Sequence, residues 1–322
     1  MKIKLIQATQ PVKKEHSMLS EQTTVCNQKI RYHIFGSGKI DLVIEMGLGI
    51  APGEWQHLAE HLSERYTVLL YSRGRNVDIP RSPRNIATEC HELLCRLGYA
   101  DKVILLAHSQ GGLYAQQFAR LYPESVKGMV LLDPLSANDS SYKTVFPSPK
   151  EQCMSVFDKS ANFRIMEKLA KLHFGFIIKA FMRKAPPFYY YHDFSTEAEC
   201  NILQEMTCPE LHRAALEEYR LAHEASEIES LRTSADFPNV PLVLITHGSA
   251  FEIKEIMEFG QTSQEFAEKV EELWQSLMRE YLSLGSHTLH LTAEQSGHYI
   301  HLTEPELLDK ALAWVGDEST KL

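Results

Sequence analysis

The stretch Val103-Ile104-Leu105-Leu106-Ala107-His108-Ser109-Gln110-Gly111-Gly112 decides the reading of this chain. Its first four residues make an apolar run suited to a strand buried on both faces. From Gly112 to about Leu121 the pattern turns helical. A buried strand feeding a sharp turn and then a helix is the context of a nucleophile elbow, which lifts a hydroxyl above the sheet edge and gathers backbone N–H groups around it. Neighbours two positions away must be small so that strand and helix can close on the turn, and Ala107 and Gly111 meet that need. Ser109 is therefore the candidate nucleophile. The plainer alternative is an ordinary polar turn.

Outward from this turn, short apolar runs alternate with helical patterns, the mark of a mostly parallel sheet covered by helices. Strands are expected near Leu42–Glu45, Thr67–Tyr71, Val103–Ala107, Met129–Leu132, Leu242–Thr246 and Thr288–Thr292. Helices are expected over Glu54–Leu62, Asn85–Leu97, Gly112–Leu121, Thr262–Leu284 and Pro305–Trp314. Between Asp133 and Pro241 the alternation stops and the pattern reads as all-helical. The expected organisation is a core of residues 1–134 and 238–322 interrupted by a helical cap at 135–237. Within the cap, Phe163, Met166, Ala170, Phe174, Ile177 and Phe181 recur at three- and four-residue steps and form one apolar stripe, with Arg164, Lys168, Lys171, Lys179, Arg183 and Lys184 between or beyond them. Core or cavity wall is the favoured reading of that stripe and a membrane surface the lesser one. Charges interrupt it too often for a spanning helix.

A net charge of −9 over 322 residues gives no electrostatic reason to expect nucleic acid. The six cysteines are scattered with no C-x-x-C pair and read as reduced, mostly packing thiols of a cytosolic protein. Met1–Gln7 holds basic residues but no long apolar run, so a secretory leader is not expected and the cytoplasm is the expected location. No H-E-x-x-H or clustered ligand pattern points to a metal, and no cofactor is expected.

A serine hydroxyl is a weak nucleophile and needs a base oriented by a third group. The best base is His298, in Gln295-Ser296-Gly297-His298, after the last expected strand and shortly before a C-terminal helix. That position completes the chain order serine, acid, histidine, and Gly297 would permit an unusual backbone conformation aiming the ring over the sheet. His301 is the lesser candidate.

With these pieces together, the chain resembles the α/β-hydrolase superfamily over roughly residues 25–316. The resemblance rests on Gly47-Leu48-Gly49, Ala107-His108-Ser109-Gln110-Gly111-Gly112, Val130-Leu131-Leu132-Asp133-Pro134 and Ser296-Gly297-His298. The Ala-x-Ser-x-Gly elbow is similar to that of some bacterial lipases. In most relatives the acid follows the seventh strand. Here Phe251 falls about where it is expected, and Glu252 lies one step beyond. A subset carries the acid after strand six, which is Asp133 in this chain. Asp133 is preferred because it directly ends an apolar run and should project at the same sheet edge as Ser109, with Glu252 as the alternative. His247 reads as a loop histidine, with a place near the site as the lesser reading.

The resemblance also implies an oxyanion hole from the backbone N–H groups of Gln110 and Leu48, the usual histidine before the glycine being replaced by Met46. The function implied is a serine hydrolase that cleaves a carboxylic ester or related acyl bond of a small to medium apolar small-molecule substrate through an acyl-enzyme. Serine as nucleophile argues against the epoxide hydrolase and haloalkane dehalogenase relatives, which use aspartate there. Phe174, Phe181, Tyr189 and Tyr190 are the expected substrate-contacting side chains. The competing class is a slow or non-catalytic small-molecule receptor on the same fold.

Overall fold

A computed structural model describes residues 21–155 and 160–321. Met1–Gln7, read above for a leader, lies outside them. The chain forms one eight-stranded sheet from β1 (Glu21–Val25), β2 (Gln28–Phe35), β3 (Ile40–Glu45), β4 (Val68–Ser72), β5 (Tyr99–His108), β6 (Val126–Leu132), β7 (Leu242–His247) and β8 (Thr288–Ala293). The spatial order is β1-β2-β4-β3-β5-β6-β7-β8. The first two strands pair antiparallel with their neighbours, and every pairing from β4/β3 to β7/β8 is parallel.

The six expected strands are all present, and β1 and β2 are additional. β2 alternates polar and apolar residues along Gln28–Phe35, as suits a strand covered on one face near a sheet edge. The central strands carry no such alternation because helices cover both faces: β4, β6 and β7 are buried almost along their whole length. Two apolar clusters result. One packs β5 and β6 against helices Pro83–Leu97 and Gly111–Leu121 around Leu105, Met129 and Phe118. The other packs the opposite face against Trp55, Leu58 and the C-terminal helix Glu306–Ser319.

Between β6 and β7 the chain leaves the sheet, and the regular structure of the described residues there is helical, ending with Pro209–Ala222 and Ala225–Thr233. This insertion has a core of its own around Ala170, Ile178, Met182, Ile202 and Leu203. Ion pairs tie it to the sheet region, Arg31 to Glu205 at 2.5 Å and Arg73 to Glu218 at 3.0 Å.

The apolar stripe expected to run unbroken from Phe163 to Phe181 is split in two. Helix Ser160–Lys171 ends where His173 takes the left-handed conformation (φ 60°). The His173 and Phe174 N–H groups donate back to the Ala170 and Leu169 carbonyls, the two bonds of a Schellman cap. The next helix, Gly175–Met182, starts with a rotated face, so Ile178 and Met182 are buried while Phe174, Ile177 and Phe181 face outward. Three- and four-residue spacing predicts one face only as long as the helix is continuous. A second departure lies after β7, where Ser249–Gly260 forms a helix that is not among the expected ones.

Candidate active site

Parallel strands present their carboxyl ends along one edge, and a ligand crevice in such a sheet lies outside those ends. Ser109 follows β5 and Asp133 follows β6, and both take left-handed backbone conformations, φ 55° and 44°. Non-glycine residues hold such angles only where the surroundings impose them. Here Ser109 N–H donates to the Leu132 carbonyl, and the Ser109 carbonyl accepts from the N–H groups of Gly112 and Leu135. The small residue at 111 has a visible cause: a Cβ on Gly111 would sit 2.3 Å from the Glu45 carbonyl oxygen at the end of β3. Any side chain there would push the helix off the sheet.

The Asp133 carboxylate is buried and accepts three hydrogen bonds. His298 Nδ1 lies 2.6 Å from Oδ2, His247 Nδ1 lies 3.0 Å from the same oxygen, and the His247 backbone N–H donates to Oδ1 at 3.1 Å. Burial alone would raise this carboxyl, but the charges and hydrogen bonds of His247 and His298 hold it well below the usual carboxylate range. His247 is no loop residue: it ends β7 and is buried. The β6/β7 register, Leu132 opposite Ile245, brings the two strand ends together and with them Asp133 and His247. The far ring nitrogen of His247 meets Glu271 at 2.9 Å. Burial works against its charge, yet Asp133 and Glu271 hold its pKa well above the ordinary imidazole value. The result is a buried file of acid, imidazole and acid behind His298.

Glu252 makes no hydrogen bond to His298 among the described residues. Its carboxyl is raised by burial, and one of its oxygens is enclosed without a partner. Gly297 lies outside the left-handed region, contrary to the expectation. What it supplies is space, since a Cβ there would sit 2.5 Å from Glu255 Oε2 and 3.2 Å from Glu252 Oε2. His301 is buried, stacks on Trp55 with ring centres 4.0 Å apart, and has its pKa driven well down by burial. His108 Nε2 meets the His298 carbonyl oxygen at 2.9 Å, which steadies the loop carrying His298. Burial and the neighbouring His298 push the His108 pKa down to about 3.

Arg73, just after β4, was not singled out from the sequence. Its buried guanidinium donates to the Met46 carbonyl at 2.6 Å and the Gly47 carbonyl at 2.7 Å. The same two nitrogens also donate to carboxylates, one to Glu45 at 2.8 Å and the other to Glu218 at 3.0 Å. The Gly47 carbonyl and the Leu48 N–H share one planar trans peptide, so gripping the first aims the second the opposite way. The loop lies against the elbow, because a Cβ on Gly47 would be 3.1 Å from Ser109 Cβ.

Ser109, Gln110, Leu48, Asp133 and His298 line one cavity of about 540 Å³, within the range usual for small-molecule sites. Tyr190 lines it as well, its ring 5.1 Å from that of Tyr299. Phe174, Phe181 and Tyr189 are exposed and not among its lining residues, the first two through the rotated helix face described above. The walls that the sequence reading missed come from the excursion between β7 and β8, with Glu252, Glu255, Ile256 and Phe259 on one helix and Glu271 and Trp274 on the next. Among the described residues no lysine or arginine lines the cavity, and no group of three or more His, Cys, Asp or Glu is arranged to hold a metal ion.

A family model described as "Alpha/beta hydrolase family" matches residues 47–311. Three uncharacterized mycobacterial proteins, among them Rv2715 of Mycobacterium tuberculosis, are 31% identical over 114 residues, 34% of this chain and 33% of theirs. The chain thus spans about a third of the length of these curated relatives. Among solved structures, a putative epoxide hydrolase from Pseudomonas aeruginosa superposes with a TM-score of 0.67 at 13% identity, covering 94% of this chain and 96% of that one. A thermophilic esterase from Thermogutta terrifontis superposes with a TM-score of 0.58 at 17% identity, covering 92% and 97%. At such identities the two structures share the fold.

Proposed function

The chain belongs to the alpha/beta hydrolase family, and on that premise we propose that it is a serine hydrolase cleaving a carboxylic ester or related acyl bond. The observation that carries this reading is the 2.6 Å contact of His298 Nδ1 with Asp133 beside a cavity that also exposes Ser109. With Nδ1–H donated to Asp133, the proton-free nitrogen of a neutral His298 is Nε2, the one free to take the serine proton. Ser109 Oγ attacks the carbonyl carbon and its proton passes to His298 Nε2. The carbonyl oxygen takes up negative charge, which the Leu48 and Gln110 N–H groups stabilise. Collapse of the tetrahedral adduct breaks the bond to the leaving group, which leaves with the proton from His298. Water, deprotonated by the same nitrogen, then hydrolyses the acyl-serine. Arg73 holds the peptide that carries the Leu48 donor.

Epoxide opening, suggested by the name of one structural relative, fits this nucleophile poorly. A serine oxygen attacking an epoxide carbon would form an ether, which offers water no carbonyl to attack. The receptor alternative draws on the displaced acid and on Met46; against it stands the reach of Asp133, although it follows β6, to His298 Nδ1.

The cavity's glutamates and its lack of lysine or arginine among the described residues disfavour anionic substrates. Phe163, Ile256, Phe259 and Trp274 supply apolar wall for a small to medium acyl group. Cys26, Cys90, Cys95, Cys200 and Cys208 are free thiols, consistent with a reducing cytoplasm, and of these Cys90 is buried while Cys26, Cys95 and Cys200 are exposed. The test is a panel of p-nitrophenyl esters of increasing acyl length with fluorophosphonate labelling. Turnover and label should both vanish in Ser109→Ala, a loss of at least about 1,000-fold. An unlabelled native protein that turns over no ester rejects the reading.

A further inference from the structure

The split stripe of the insertion leaves a surface that the proposed chemistry does not use. Over residues 160–184 there are six basic side chains, Arg164, Lys168, Lys171, Lys179, Arg183 and Lys184, against one acidic, Glu167, in a chain whose net charge is −9. Among the described residues, ion pairs occupy two of the six, Lys171 with Glu167 and Arg183 with Glu199. The same segment exposes large apolar side chains: Ile165 is 56% exposed, Leu172 64%, Phe176 69% and Phe181 55%. Ile165 and Leu172 stand two turns apart on one helix face, with Lys168 between them. Phe174 and Phe176, at the junction of the two helices, lie with ring centres 6.1 Å apart.

Scattered single apolar residues on a surface need no explanation, whereas several large ones on two consecutive helices do. The helices keep a buried side of their own, with Ala170, Ile178 and Met182 in the insertion's core, so the outward residues are not left over from incomplete packing. Apolar side chains set among cations match the headgroup boundary of a negatively charged bilayer, where the apolar groups enter the acyl region and the cations meet lipid phosphates and carboxylates. Neither helix is long and apolar enough to cross a membrane.

We propose that residues 160–184 form a docking surface for an anionic lipid bilayer, on which the protein rests without inserting a span. The charge contrast selects this occupant over a second copy of the chain, because like-charged patches would meet across a symmetric dimer. Helix Ser160–Lys171 also gives Asn162 and Phe163 to the cavity wall, so docking places the cavity close to the lipid surface.

Sedimentation with phosphatidylcholine vesicles, with and without phosphatidylserine, tests this on the full chain. The native protein should pellet with the anionic vesicles, and less so as salt is raised. Lys168→Glu with Lys179→Glu, and separately Leu172→Ser with Phe176→Ser, should each weaken binding at least about tenfold. Unchanged melting curves show that these exposed substitutions leave the fold intact. Ser109→Ala should pellet like the native chain, which separates this inference from the proposed chemistry. No pelleting, equal pelleting with neutral vesicles, or variants that bind as the native chain does would each overturn it. So would a native dimer that Leu172→Ser with Phe176→Ser dissociates.

Discussion

At the carboxyl ends of β5, β6 and β7, Asp133 takes three hydrogen bonds, His247 bridges two carboxylates, and the backbone is held in left-handed turns at Ser109 and Asp133. Across residues 160–184, large apolar groups stand in solvent and helix ends are closed by local backbone bonds. The first region depends on strands far apart in sequence, so its geometry is fixed by the register of the whole sheet. The second depends on neighbours within a turn or two and leaves its outer face free to meet something else. Changes in the first region should therefore act on turnover, and changes in the outward face of the second should leave turnover of soluble substrates alone.

The largest effect that bears on this contrast is at the proposed acid, Asp133. Asp133→Asn should lower kcat by about 1,000-fold or more, because an amide no longer holds the His298 tautomer or stabilises the imidazolium. Glu252→Gln should change kcat by less than about fivefold, having no bond to His298 to lose. Steady-state kinetics on one p-nitrophenyl ester rank the two, and the reverse ranking would move the acid to Glu252. Asp133→Asn also leaves His247 with a single carboxylate, at a stability cost of about 3 kcal/mol, so assays belong well below its melting temperature.

Arg73 comes next. Lysine keeps the charge but cannot reach two carbonyls and two carboxylates with one planar fork. Arg73→Lys should lower kcat by about 10- to 100-fold through a misaimed Leu48 N–H, with KM for a small ester within about threefold of native. Loss of melting temperature with kcat intact would reduce Arg73 to a structural ion pair.

The contrast also explains what the sequence made legible. Ser109, Asp133 and His298 could be named because each directly follows an apolar run or precedes a helix, and strand ends in a parallel sheet converge. The same rule applies to Arg73 after β4, and at the end of β7 it outweighs the loop reading of His247. The face turned outward by Phe174 and Phe181 was not legible, since spacing carries no mark of the left-handed break at His173. Glu252 and Glu255 sit in a helix outside the expected ones, and only the folded chain shows that Gly297 must stay small to make room for them.

A pH-dependent effect sharpens the description of the site's surroundings. Glu54 is buried, and burial pushes its carboxyl up to about 8 against the hydrogen bond from the Ala51 segment. Between its unfolded value of about 4.5 and its folded value of about 8 the native state binds more protons than the unfolded one, so stability falls as pH rises across that window. Glu54→Gln removes the ionisation. Relative to native protein, the variant should gain up to about 4 kcal/mol between the two ends of the window. Melting curves on both proteins across the window check this, and parallel curves would mean that Glu54 ionises freely in the fold.

The smallest effects bear on the outward face itself. Tyr190 lines the cavity and hydrogen-bonds Glu255, so Tyr190→Ala should raise KM for medium-chain esters by about three- to tenfold, the loss of one aromatic wall. Phe181→Ser removes a comparable ring from the same insertion, yet that ring is 55% exposed and points away from the cavity. Its kcat and KM on soluble esters should stay within about twofold of native. The pair differs in which way the ring faces and little in size or distance along the chain. A Phe181→Ser variant with the KM of Tyr190→Ala would mean that the insertion closes during turnover and brings its outer face inward, and the two regions would then act as one.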